Sequence, residues 1–162
     1  MTGVVSFKHA GSPDREPFHY TGCGLDNVYL TSGYQTKEVG GETYVAVHDV
    51  EDLHTAIALF LARQKKVLDG QEVRFVRKFL DLTQRELGTF LGVSDQSVAR
   101  YEKGQTKFEG AADALLRLLV VAKAGGCIDV REELESIRTA DDAASADVTF
   151  ELGSDHEWRE AA

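Results

Sequence analysis

Between Thr83 and Gly104 the chain reads TQRELGTFLGVSDQSVARYEKG, and the punctuation of this stretch leaves it little conformational freedom. Thr83 and Glu86 stand at the spacing where each side chain satisfies the other's orphan backbone donor and opens a helix. Gly92 suits the left-handed residue that closes one. Ser94 then offers a second N-cap, and Gly104 a second stop. The stretch therefore predicts two short helices joined by Gly92, Val93 and Ser94. Helices that short are not stable alone in water, so the rest of the chain must supply a core that covers them.

The flanking segments predict how that cover is built. Residues 1–17 are polar and without period, the pattern of a flexible arm. From Phe18 the runs FHYT, NVYLTSGYQTKEV and ETYVAVHD are β-branched and aromatic, and VGGE reads as a hairpin turn, so a small antiparallel sheet of about three strands is expected. VEDLHTAIALFLARQKK switches to helical spacing with Asp49 as its candidate cap, closing a small α/β unit over 18–68. DGQEVRFVRKFLD carries Val73, Val76 and Leu80 on one helical face. GAADALLRLLVVAKAGG is apolar around much of its circumference, more than one side of a small bundle hides, and predicts a partner helix against it. VREELESIR adds a short helix. The expected fold class is α+β: a small N-terminal antiparallel sheet plus helix, then a five-helix bundle over 69–138. Residues 139–162 form an acidic tail, and the alternation in VTFELGSDHEWREAA is that of a terminal strand or hairpin.

Charge is divided unevenly along the chain. The formal net charge is -9, yet residues 63–107 hold ten basic against six acidic residues. A local basic footprint inside an acidic protein directs anions to that segment. No apolar run reaches the roughly 20 residues needed to cross a bilayer, and the N-terminus lacks a basic region followed by an apolar one, so a cytoplasmic location and no membrane partner are expected.

Short helices with a glycine-containing turn between the second and third make a helix-turn-helix. Its second helix places Gln84 at a capped, dipole-positive end, where a side-chain amide can donate to a phosphate. Its third presents Asp95, Gln96, Ser97 and Arg100 outward while Val98 and Tyr101 face the core. Gln and Arg are the side chains that bridge base edges bidentately, Gln to adenine and Arg to guanine. Paired recognition helices read half-sites about one turn (~34 Å) apart, so a palindromic double-stranded operator and a homodimer are the expected partners. The cations Arg63, Lys65, Lys66, Arg74, Lys78 and Arg85 are less specific candidates for phosphate contact.

Leu82 to Gly104 closely resembles the Xre/Cro-type helix-turn-helix, with its Leu-Thr-Gln opening, apolar second helix, Gly-Val-Ser turn and closing Tyr-Glu-x-Gly. The resemblance spans about 71–122. It implies that Gln84 contacts a phosphate, that Gln96, Ser97 and Arg100 face the major groove, and that Lys103, Thr106 and Lys107 lie in the loop that grips the backbone. It also implies an ion pair between Arg77 and Glu102, which is architectural. The N-terminal run YTGCGLDNVYLTSGYQ, followed by a strand and the helix VEDLHTAIALFLA, is similar to the layout of MqsA-type antitoxins and related regulators. Those antitoxins carry a zinc module with two C-x-x-C pairs, of which this chain keeps only Cys23. The resemblance therefore extends to the DNA-reading residues and not to the metal or the toxin. The leading expectation is a sequence-specific repressor; the alternative is an antitoxin that binds a toxin through its N-terminal part and regulates its own operon.

No catalytic constellation is found, and no cofactor or metal is expected. Cys23 and Cys127 are far apart and unpaired in pattern, and His9, His19, His48, His54 and His156 do not fall at metal-ligand spacing. Neither a Walker sequence nor a dinucleotide-binding fingerprint occurs.

Overall fold

The computed structural model describes residues 16–125, 129–132, 135 and 147–162. The expectations for the arm before residue 16, for His9, for Cys127 and for the linker at 139–146 lie outside the described residues, as does much of the helix expected at 130–138. In chain order the elements are β1 (Phe18–His19), β2 (Val28–Leu30), β3 (Tyr34–Val39), β4 (Glu42–Val47), α1 (Val50–Gln64), α2 (Gly70–Phe79), α3 (Gln84–Leu91), α4 (Asp95–Glu102), α5 (Ala111–Lys123), β5 (Val148–Leu152) and β6 (Trp158–Glu160). The chain is thus mixed α+β with a small N-terminal sheet. Among the described residues no helix is long and apolar enough to cross a membrane.

The N-terminal strands do not form one antiparallel sheet. β1 pairs antiparallel with β2, but β2 then pairs in parallel with β5 from the far end of the chain, and β5 returns antiparallel to β6. The four-stranded sheet runs β1-β2-β5-β6, and β3-β4 is a separate two-stranded ribbon. The cause lies at Ser32 and Gly33. Gly33 adopts φ +75, and a Cβ there would come within 2.4 Å of the Trp158 ring, so the chain turns away from the sheet at this residue. Ser32 Oγ accepts from the Leu152 N–H at 2.8 Å, tying the departing strand to β5. The ribbon turns through Gly40 and Gly41, both at positive φ, as a two-residue hairpin loop requires.

The helices begin where local chemistry starts them. Asp49 accepts from the Asp52 N–H, Thr83 and Glu86 complete a capping box, and Ser94 accepts from the Ser97 N–H. Asp69 and Glu72 make a further capping box; its D-x-x-E spacing is as readable as that of Thr83 and was not among the sequence expectations. α3 ends on Gly92 at φ 70. The next turn is tight enough that a Cβ on Gly88 would lie 2.6 Å from the Val93 carbonyl oxygen. One apolar core joins the elements, with Leu30, Leu53, Ile57, Val73, Val76, Leu87, Val98, Leu116, Val120 and Phe150 all buried.

The apolar excess of α5 is largely met inside the chain. Leu116, Val120 and Val121 are buried, and the helix packs on α1. Part of the expected helix partner is thus α1 of the same chain, while Leu115 stays exposed and Leu118 and Leu119 are half-buried. The contact is organised by Arg117, which is 1% exposed. Its Nε donates to both carboxylate oxygens of Asp113, at 2.9 and 3.0 Å. Nη1 donates to the carbonyls of Leu61, Ala62 and Lys65, and Nη2 to that of Lys66. Leu61 and Ala62 lie in the last turn of α1 and Lys65 is its C-cap, so the guanidinium sits at the negative pole of the helix dipole. Replacing Arg117 with Ala leaves Asp113 and several carbonyls buried and unpaired. Stability in urea titration is expected to fall by about 3 to 5 kcal/mol. Arg117→Lys should recover less than half of that, because an ammonium cannot fork across these acceptors.

Candidate nucleic-acid interface

α2, α3 and α4 meet at a carboxylate. Glu102, in the last turn of α4, accepts from Arg77 Nε at 2.5 Å and Nη2 at 3.3 Å, while Arg77 Nη1 donates to the Leu82 carbonyl at 2.8 Å. The Arg77–Glu102 ion pair anticipated from the sequence is therefore present, and it fastens α2 to the end of α4 and to the loop before α3. Gln84 joins the same group, its Nε2 donating to Glu102 Oε2 at 2.8 Å. One amide hydrogen of Gln84 is thus committed inside the protein. Burial raises the Glu102 pKa, but the hydrogen bonds from Arg77 and Gln84 and the charges of Arg77 and Arg74 outweigh it, and the carboxyl is held below the ordinary glutamate range.

α4 divides cleanly by face. Val98 is fully buried, and Tyr101 packs edge-on against Phe108 with ring centroids 5.1 Å apart. Gln96 and Arg100, one turn apart on the other side, are exposed, as is Lys103 at the helix end. Asp95 is exposed with Oδ1 accepting from the Gln96 N–H at 2.8 Å, so its carboxylate is turned back on the helix start. Ser97 is half-buried, its hydroxyl sharing a 3.0 Å hydrogen bond with that of Ser94. The loop after α4 is closed by Gly104 at φ 67 and by the Gln105 N–H donating to the Arg100 carbonyl. Thr106 and Lys107 lie exposed beyond it.

The structure sorts the less specific cations. Arg74, Lys78 and Arg85 are exposed on α2 and α3. Lys65 is engaged elsewhere: its Nζ donates to Glu72 Oε1 at 2.5 Å, and the Glu72 side chain is 2% exposed. Phe90, 56% exposed on α3, carries no sequence signal that would have marked it.

Cys23 is half-buried, and burial pushes its thiol pKa upward, opposite to what a metal-binding thiolate needs. Among the described residues no group of three or more His, Cys, Asp or Glu is gathered. His54 shares a hydrogen bond with the Tyr20 hydroxyl at 2.9 Å and is held below the ordinary histidine range by burial.

The lowered pKa of Glu102 sets a pH dependence. A carboxyl with a depressed folded pKa stabilises the fold above its unfolded value and loses that contribution as pH falls through the folded value. Glu102→Gln should therefore cost about 3 kcal/mol at neutral pH, and its gap to the natural chain should close on acidification below the ordinary glutamate pKa. Urea titrations across that range check this; a gap independent of pH counts against the role of the carboxylate.

No curated protein and no solved structure matches the chain. A family model does, over residues 13–123, from before β1 to the last residue of α5. On that match, which covers well over half of its length, the chain belongs to the MqsA family, the antitoxin component of a bacterial toxin-antitoxin system.

Proposed function

We propose that this chain is an antitoxin that binds a toxin protein through its β-rich part and represses its own operon by reading DNA with α4. The observation that carries the reading is that one family match spans residues 13–123, taking in β1 to β4 together with α3 and α4. The α3–α4 pair then acts as an Xre/Cro-type helix-turn-helix. Gln96 and Arg100 are assigned to base edges, with Ser97 assisting and Asp95 restricted by its bond to the helix start. Gln84, Lys103, Thr106 and Lys107 are assigned to phosphates, Gln84 through the amide hydrogen that Glu102 leaves free. Glu102 and Arg77 hold the helices in register beneath these contacts. A dimer reading a palindrome completes the assignment.

A second reading, a regulator without a toxin, is favoured by one observation: Cys23 alone remains of the cysteine pairs of the antitoxin zinc module. The two part experimentally. Co-expression with the adjacent small open reading frame should relieve its toxicity and yield a co-purifying complex if the first holds; an adjacent frame that is harmless alone and does not co-purify supports the second.

The DNA assignment has its own test. Arg100→Ala should cost on the order of 1 to 3 kcal/mol on the operator and relax specificity at one base, whereas Lys107→Ala should weaken all sequences alike. Equal losses on operator and random DNA for Arg100→Ala in a binding titration at fixed salt would remove Arg100 from base reading.

A further inference from the structure

Two glycines of this chain stand where the backbone does not call for one. Eight of the described glycines turn at positive φ, and a Cβ on Gly22 or Gly153 would have side-chain atoms as its nearest neighbours. Gly70 and Gly88 differ. Neither has a positive φ, yet a Cβ on either would run into main chain, and each time it is the main chain at an end of α4. On Gly70, the first residue of α2, it would lie 2.5 Å from the Glu102 carbonyl oxygen and 2.8 Å from that of Tyr101, against about 3.4 Å for ordinary contact. On Gly88, buried in the middle of α3, it would lie 2.6 Å from the Val93 carbonyl oxygen and 3.2 Å from the Ser94 carbonyl carbon. Glycine is a poor helix former, so helix propensity explains neither residue. The close approach of α4 at its two ends explains both. At the Gly70 end that approach is also favourable, since the last carbonyls of α4 meet the positive pole of the α2 dipole.

We propose that Gly70 is a positioning residue for base reading: with Gly88 it seats α4, one missing side chain against each end, at the depth from which Gln96 and Arg100 reach the base edges. The inference rests on the DNA-reading part of the proposed function. The first turn of α2 is the rigid side of the contact, because Asp69 and Glu72 cap each other and Lys65 holds Glu72 at 2.5 Å. The end of α4 is tied to α2 through the long Arg77 side chain, so a side chain at position 70 is taken up by movement of α4. The carbonyls it presses on are those of Tyr101 and Glu102, directly after Arg100. The shortfall from ordinary contact exceeds the ~0.5 Å within which a binding constellation must be held, and a bidentate bridge to a base depends on that geometry. Contacts to phosphate through Lys103 and Lys107 carry no sequence information, and their long side chains follow the backbone of the duplex.

Binding titrations of the full chain at one fixed salt concentration test this on two duplexes: the one the natural chain enriches most from random double-stranded DNA, and a scrambled duplex of equal length. Gly70→Ala is expected to lose about tenfold or more on the enriched duplex and less than about twofold on the scrambled one. The ratio of the two affinities is the readout, because a partly unfolded sample weakens both by the same factor. Gly110→Ala is the control: φ 73 makes it strained, but nothing lies within 4 Å of its Cβ, so it should lose stability and keep the natural ratio. If circular dichroism shows Gly70→Ala unfolded, Gly88→Ala, which presses on the other end of α4, takes its place with the same expected loss. A natural ratio in the folded variant overturns the proposal, and base reading stands as long as Arg100→Ala still lowers that ratio. An equal loss of ratio in Gly110→Ala also overturns it, since any weakened fold would then suffice. A natural chain that enriches no duplex removes base reading itself, and the seat with it.

Discussion

The guanidinium of Arg117 is the tie between the halves of this molecule. It is buried, paired with Asp113 and spread over the last carbonyls of α1. Without it the apolar contact of α5 with α1 would bury the C-terminal end of α1 with unsatisfied acceptors. A second network continues the seam: Lys65, whose carbonyl Arg117 takes, sends its ammonium to Glu72, which in turn caps α2. The helix that leads into the basic segment is thus fixed at its start by the same cluster that closes α1. Burial raises the pKa of both Asp113 and Glu72, against the opposing pull of Arg117 and Lys65.

This seam lets an anionic chain hold a cationic surface. The ten basic residues of 63–107 lie on and around α2, α3 and α4, while the sheet and ribbon carry Asp26, Glu38, Glu42, Asp155 and Glu160. Inside the basic part Glu102 is half-buried, paired with the Arg77 guanidinium and hydrogen-bonded by Gln84. Exposed Arg100 and Lys103 on the opposite side of the same helix are left to define the outer potential.

What could be read from the residues was mostly what depends on near neighbours. The caps at Asp49, Thr83 and Ser94, the glycine stop at Gly92 and the turn at Gly40-Gly41 involve groups a few positions apart, and all stand where the spacing placed them. The Arg77–Glu102 pair was legible only through the resemblance. Sheet topology was not legible, since Ser32 bonds Leu152 across 120 positions and nothing in either run marks the other as its partner. For α5 an apolar face does not say how much of its cover comes from the same chain: Leu116 and Val120 are buried, while Leu115 stays exposed. Gln84 was assigned outward because its N-terminal position suits a phosphate, and the inward half of its hydrogen bonding depends on a glutamate 18 positions later.

The central claim is that the face of α4 bearing Gln96 and Arg100 reads base sequence while the surrounding cations only hold the duplex. Selection of bound sites from random double-stranded DNA by the purified full chain, at one fixed salt concentration, tests it most directly. The account predicts enrichment of a palindrome whose half-sites are centred about one helical turn, ~34 Å, apart. Retention that varies with salt but enriches no sequence would contradict it, leaving the basic segment as a charge without a code.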